Sequence, residues 1–258
     1  MRQIYIYPLS IAVLCIICLS SRVQADEKIL IAAASNLHPV MDEIRHAFEK
    51  EHPSIKVGIS YGSSGNFFAQ IKHGAPYDIF FSADNFYPLR LEEEGLAVKG
   101  QNRVYGIGRI VLWVPEKSVL NVQKGLSIAS DPAVKKFAIA NPKHAPYGRA
   151  AEEALRYYGF WDTIQGKLVF GENISQTAQF IQTGTADAGI VALPLAVSPP
   201  LVNKGRYWMI PVESYHKLEQ AYAILHRGKE KHGVKIFLEF MQGKNGKELL
   251  SRYGFILP

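Results

Sequence analysis

Apolar and polar positions follow one order repeatedly along this chain: a short apolar run, a turn of small or hydroxylated residues, then an apolar stripe at helical spacing. Lys28 to Ala33 is the first such run, and Val40, Met41, Ile44 and Phe48 then mark one face of a helix over Leu37 to Lys50. Ile55 to Ser60 repeats the strand pattern, and Phe67, Phe68 and Ile71 mark a helix from Gly65 to His73 that Gly74 stops. Asp78 to Ser82 is a third buried-strand run. Arg109 to Pro115, Phe137 to Ala140, Leu168 to Phe170 and Ala188 to Ala192 predict further strands, with helices from Pro146 to Tyr158 and from Asn173 to Gln182. This alternation predicts an α/β fold with mainly parallel strands. Tyr105 to Gly108 and Leu218 to Ala223 read as crossovers between two lobes, and the apolar positions of Lys235 to Tyr253 dock on the first lobe.

In open α/β sheets a ligand sits at the carboxyl ends of strands, where the following helices begin. Ala34-Ser35-Asn36 and Gly62-Ser63-Ser64-Gly65 fall there in the first two units; Ala145-Pro146-Tyr147-Gly148 and Asn173-Ile174-Ser175 fall there in the second half. Helix N-termini carry unpaired N–H groups and a partial positive charge, so several converging on one point hold a multiply charged oxyanion without a cationic side chain. A binding site, more than an active site, is implied.

The N-terminal stretch refines the setting. Met1 to Ala25 has Arg2 near its start, an apolar stretch around Ile11 to Leu19 and Val23-Gln24-Ala25 before Asp26, the pattern of a cleaved secretory signal. Both cysteines, Cys15 and Cys18, lie inside it, so the exported chain needs no disulfide and offers no thiol. The formal charge of +6 falls to +4 once Arg2 and Arg22 leave. That mild basicity suits small anions, and no dense Lys/Arg block with interleaved aromatics argues for nucleic acid.

Other chemistries find less support. Ser64 as a nucleophile lacks the G-x-S-x-G spacing and a placed base. The eight histidines are scattered and form no metal motif, and His144 alone stands near a candidate residue, Tyr147. Tyr157-Tyr158 resembles the paired tyrosines of ferric-ion carriers, yet neighbours on a helix point apart, which favours packing for Tyr158. Gly106-Ile107-Gly108 lacks the third glycine of a dinucleotide fingerprint.

The chain resembles the periplasmic molybdate-binding proteins of ABC transporters, within the two-lobed type II solute-binding fold. The resemblance rests on Ala32 to Asn36, Gly62-Ser63-Ser64-Gly65 with Ala69-Gln70-Ile71, Gly74 to Asp84, Asn141-Pro142 through Gly148, Ala188 to Ala192, and Arg252-Tyr253-Gly254-Phe255; Gly74 to Asp84 is the most specific run. It implies an α/β protein with its ligand cleft between lobes, divided as 1–25 signal peptide, 26–106 with 221–258 as the first lobe, and 107–220 as the second. It implies an oxyanion, molybdate or tungstate, held through Ser35, Asn36, Ser64, Tyr147 and Ile174, with Ser35 and Ser64 giving hydroxyl and backbone N–H groups and Asn36, Tyr147 and Ile174 giving backbone N–H groups. It further implies a monomeric, non-enzymatic carrier in the periplasm, with no cofactor and with a membrane-embedded ABC permease as partner. Some members place a donating tyrosine where this chain has Ala192. The alternatives are a sulfate or ferric-ion carrier and, from another class, an exported serine hydrolase.

Overall fold

A computed structural model describes residues 27–258. The expected signal segment, with Cys15 and Cys18, lies outside the described residues.

Ten strands form in chain order: β1 (Glu27–Ala34), β2 (Ile55–Gly62), β3 (Ile79–Phe81), β4 (Arg103–Gly108), β5 (Ile110–Pro115), β6 (Phe137–Ala140), β7 (Leu168–Gly171), β8 (Ala188–Ala192), β9 (Gly205–Met209) and β10 (Leu218–Ile224). They make two five-stranded sheets, ordered β2-β1-β3-β10-β4 and β7-β6-β8-β5-β9. The two orders are equivalent, so each sheet is a copy of the same wiring. In each, the first three strands are parallel and the fourth runs against its neighbours: β10 pairs antiparallel with β3 and β4, and β5 with β8 and β9. The mainly parallel expectation therefore misses one reversed strand per sheet. Both reversed strands adjoin the crossings between the sheets, where the chain must turn back.

The inner strands are apolar because helices cover both faces. Ile29, Ile31 and Ala33 of β1 pack toward α1 (His38–Glu51), while the intervening Ala32 belongs to the cluster on the other face, with Phe67 of α2 (Ser64–Lys72) and with Tyr87 and Leu91 of α3 (Phe86–Glu93). In the second half, α4 (Pro146–Tyr157), α5 (Trp161–Ile164), α6 (Ile174–Gln182) and α7 (Leu193–Ala196) surround a core that includes Trp113, Phe137, Ile139 and Ile190. The C-terminal α8 (His232–Gln242) and α9 (Lys244–Arg252) return to the first lobe, where Phe237 meets Phe48 edge-on with ring centroids 5.1 Å apart.

The chain crosses between the sheets at Arg109 and again over 210–217. The segments expected as crossovers, Tyr105 to Gly108 and Leu218 to Ala223, are instead paired strands of the first sheet, β4 and β10. The expected boundaries at 106/107 and 220/221 fall inside them.

Candidate functional site

The equivalence of the two sheets sets the site. Strands β1 and β2 end at Ala34 and Gly62, β6 and β7 at Ala140 and Gly171, and the turns that follow from both sheets converge on one small space of about 180 Å³. Ser35, Asn36, Ser64, Tyr147 and Ile174 all line it, together with Ala34, Gly62, Ser63, Ala83, Ala145 and Pro146. None of these residues is charged. Ala192 is buried at the end of β8 and is not part of the lining.

Local sequence explains why each turn presents donors. Ser63 caps α2 by accepting from Asn66 N at 3.4 Å, and Asn173 caps α6 by accepting from Ser175 N and Gln176 N at 3.0 Å each. Pro146 opens α4 with its fixed φ, so the first free amide of that helix is Tyr147. Among the described residues, no protein acceptor meets the amides of Asn36, Ser64, Tyr147 or Ile174, all of which sit in the first turn of a helix.

The two hydroxyls are oriented by their neighbours. Ser64 Oγ accepts from Ala83 N at 3.0 Å, and Ser35 Oγ accepts from Ser175 N at 3.3 Å. An oxygen already accepting from an amide is left with its proton to donate. Ser64 and Ser35 thus add two O–H donors to the ring of amides.

The two halves are pinned together around this space. Gly65 N donates to His144 O at 2.9 Å, and a Cβ on Gly65 would sit 2.7 Å from that carbonyl and 2.6 Å from the Tyr87 hydroxyl. Glycine is required because the two lobes touch there. Ser175 Oγ donates to Ser35 O at 2.9 Å. Arg149 of α4 pairs with Asp84 of the first lobe and also donates to Tyr87 OH at 3.3 Å. Burial pushes the Asp84 carboxyl above its usual range; the Arg149 guanidinium, the Tyr87 amide and the Ser82 hydroxyl pull against that shift. Between β10 and α4, Gln220 Nε2 donates to Tyr147 OH at 2.8 Å, and burial raises that phenol well above its ordinary range.

Rival chemistries lose their parts. Tyr157 is exposed and Tyr158 packs beside Trp208, at the far end of α4 from Tyr147, roughly 15 Å along the helix by its rise per residue. Among the described residues, no imidazole or carboxylate reaches Ser64 Oγ. His144 Nδ1 lies 3.0 Å from Ser63 Oγ, with Glu172 3.6 Å from the other ring nitrogen. That chain has the residue types of a hydrolytic triad, but its serine oxygen is the cap of α2 and its histidine spans the cleft. Among the described residues there is no cluster of metal-ligating side chains and no helix long and apolar enough to cross a membrane.

Sequence reasoning named Ser175 only as part of a turn and Asp84 only as the end of a run, without their cross-cleft bonds, and missed Arg149 and Gln220. Gln220 and Tyr147 are 73 residues apart, and Arg149 and Asp84 65 apart, so no local pattern joins them.

The profile of the family described as bacterial extracellular solute-binding protein matches residues 29–256. The chain is 35% identical over 237 residues to the molybdate-binding protein ModA of Azotobacter vinelandii, covering 92% of each, and 34% identical over 229 residues to that of Rhodobacter capsulatus, covering 89% of this chain and 88% of the relative. The solved periplasmic molybdate-binding protein of Azotobacter vinelandii superposes with a TM-score of 0.83 at 31% identity, over 89% of this chain and 99% of that one.

Proposed function

Because this chain belongs to the bacterial extracellular solute-binding proteins, we propose that its cleft captures molybdate, and equally tungstate, outside the cytoplasmic membrane and delivers it to a membrane-embedded ABC importer. One observation carries the reading: helix N-termini and two oriented hydroxyls from both lobes surround a space of about 180 Å³ lined by no charged residue. The space is small and bounded by both lobes, which suits one small ion rather than a drug-sized ligand.

Donor chemistry selects among anions. A fully deprotonated dianion offers acceptors only, which amides and hydroxyls meet, whereas phosphate near neutral pH keeps a proton that wants a carboxylate facing it. No acidic side chain lines the space, so phosphate is disfavoured. Molybdate and tungstate differ from sulfate in longer bonds to oxygen, and separation from sulfate rests on the size of the closed cavity. In this reading Ser35 and Ser64 give O–H groups, and Asn36, Ser64, Tyr147 and Ile174 give backbone N–H groups. The protein is a monomeric periplasmic carrier that closes on its ligand about Arg109 and the 210–217 segment, and it turns nothing over.

Calorimetric titration of the exported protein with molybdate, tungstate, sulfate, phosphate and ferric ion tests this. Tight binding of the first two, with much weaker sulfate and no phosphate or iron, is expected. Equal or tighter sulfate binding would overturn the molybdate assignment while leaving the oxyanion mechanism standing.

A further inference from the structure

We propose that Gln220 is a positioning residue that couples the two halves of the anion site, so that closing the hinge and completing the donor ring are one event. The inference rests on the oxyanion reading above.

Gln220 lies on β10 and is wholly buried, an expensive place for a primary amide unless its groups are paired. Its Oε1 accepts from Asn36 Nδ2 at 2.9 Å and from Tyr105 OH at 2.9 Å; its Nε2 donates to Tyr147 OH at 2.8 Å. Asn36 follows β1 in the first lobe, and Tyr147 opens α4 in the second. Each also presents a backbone amide at the cavity. Gln220 therefore holds, through side chains, the same two residues whose main chains face the ligand.

Two backbone features support this placement. The pairing of β10 with β4 shifts register between Gln220 and Ala221, and such irregularities re-aim a side chain. On the facing strand stands Gly108, where a Cβ would collide with both Gln220 Nε2 and Tyr147 OH. The strand leaves a gap at the point where the amide passes from one lobe to the other. Gly108 also precedes Arg109, the first crossing, so the bond spans from one lobe to the other beside that crossing.

Glutamine suits the position because one planar group supplies an acceptor for two donors and a donor for a third. Hinge opening would draw Tyr147 OH away from Nε2 and leave that N–H to water or to nothing; ligand-driven closure restores it. The bond is therefore a property of the closed form, and its loss should appear in affinity.

The test is a double-mutant cycle on molybdate affinity, measured by calorimetry on parent, Gln220→Leu, Tyr147→Phe and the double variant, with ligand-free thermal unfolding as the control. Gln220→Leu should bind about tenfold or more weakly with all direct donors intact. The double variant should bind more tightly than the product of the single losses predicts, because each single change strands the other's partner. Gly108→Ala, which wedges the pair apart without removing either group, should weaken binding in the same direction and serves as the test if Gln220→Leu does not fold. A Gln220→Leu protein that binds as the parent does, or losses that simply multiply, would overturn the inference and leave the oxyanion reading intact. A parent that takes up no tetraoxyanion removes the reading, and the inference with it.

Discussion

Ser35 and Ser64 look interchangeable in the sequence, but their oxygens hold different things. Ser64 Oγ is the hydrogen-bond acceptor for Ala83 N, whereas the Ser175 amide that reaches Ser35 Oγ is also held by Asn173 Oδ1 at 3.0 Å. Either serine changed to alanine should weaken molybdate binding by about 1–3 kcal/mol, the usual worth of a hydrogen bond to a charged group. Ser64→Ala should in addition lower the ligand-free unfolding temperature, since it strands a buried amide, while Ser35→Ala should hardly move it. Titration and thermal unfolding of both variants check this, and equal stability of the two would contradict it. The Asp84 carboxyl is raised in the folded protein, so the folded state holds the proton more tightly than the unfolded chain. Its contribution to stability is therefore full at pH below the ordinary carboxylate pKa of about 4 and fades as pH rises through the raised value. Asp84→Asn cannot titrate. The stability of the parent relative to Asp84→Asn should fall as pH rises from 3 to 7, and a difference that grows with pH would reverse the assignment.

Among elements, the run Gly74 to Asp84 that most strongly suggests the family turns out to be mainly a clasp. Asp78, wholly buried, accepts from Leu30 N at 2.7 Å and pairs with Arg227 and Lys231, each at 2.9 Å, so one carboxylate ties β1, the entry to β3 and the approach to α8. Asp78→Ala should destabilise the protein by about 1–3 kcal/mol, chiefly through the stranded Leu30 amide, because the two cations can turn to water. Molybdate affinity per folded molecule should stay near that of the parent. Denaturant unfolding and titration separate the two quantities. Strands covered on both faces, such as β1, β6 and β8, are legible as apolar runs, and the four turns are legible because cap, proline and helix lie within a few residues. Strands β4 and β10 are not: Arg103-Val104-Tyr105-Gly106-Ile107-Gly108 and Leu218-Glu219-Gln220-Ala221 mix polar groups and glycines into sheet positions. Those departures are the hinge network itself, where Gln220 and Gly108 trade strand propensity for a bond between lobes. Helix α3 escapes notice because Pro88 sits within it and its apolar stripe is thin.

For the whole molecule, contacts such as Gly65 to His144, Ser35 to Ser175 and Asp84 to Arg149 describe a closed cleft. Ligand should therefore shrink the protein in solution, with a smaller radius of gyration by scattering on adding molybdate and no change on adding phosphate. An unchanged radius with bound molybdate would show that the lobes are already locked. The wiring of the two sheets also bears on how the chain assembles as it emerges N-terminus first. Every strand of the second sheet lies between residues 110 and 209, but β4 meets the first sheet only through β10, which the chain supplies from residue 218 onward. The half that begins the sequence is therefore the half that finishes last: its edge strand waits, unpaired, until most of the polypeptide has been delivered. A chain cut short after residue 217 should show a protease-resistant core near 110–209 and a readily digested N-terminal region, and for that interval the younger stretch of polypeptide is the folded one and the older stretch depends on keeping its exposed edge from other chains.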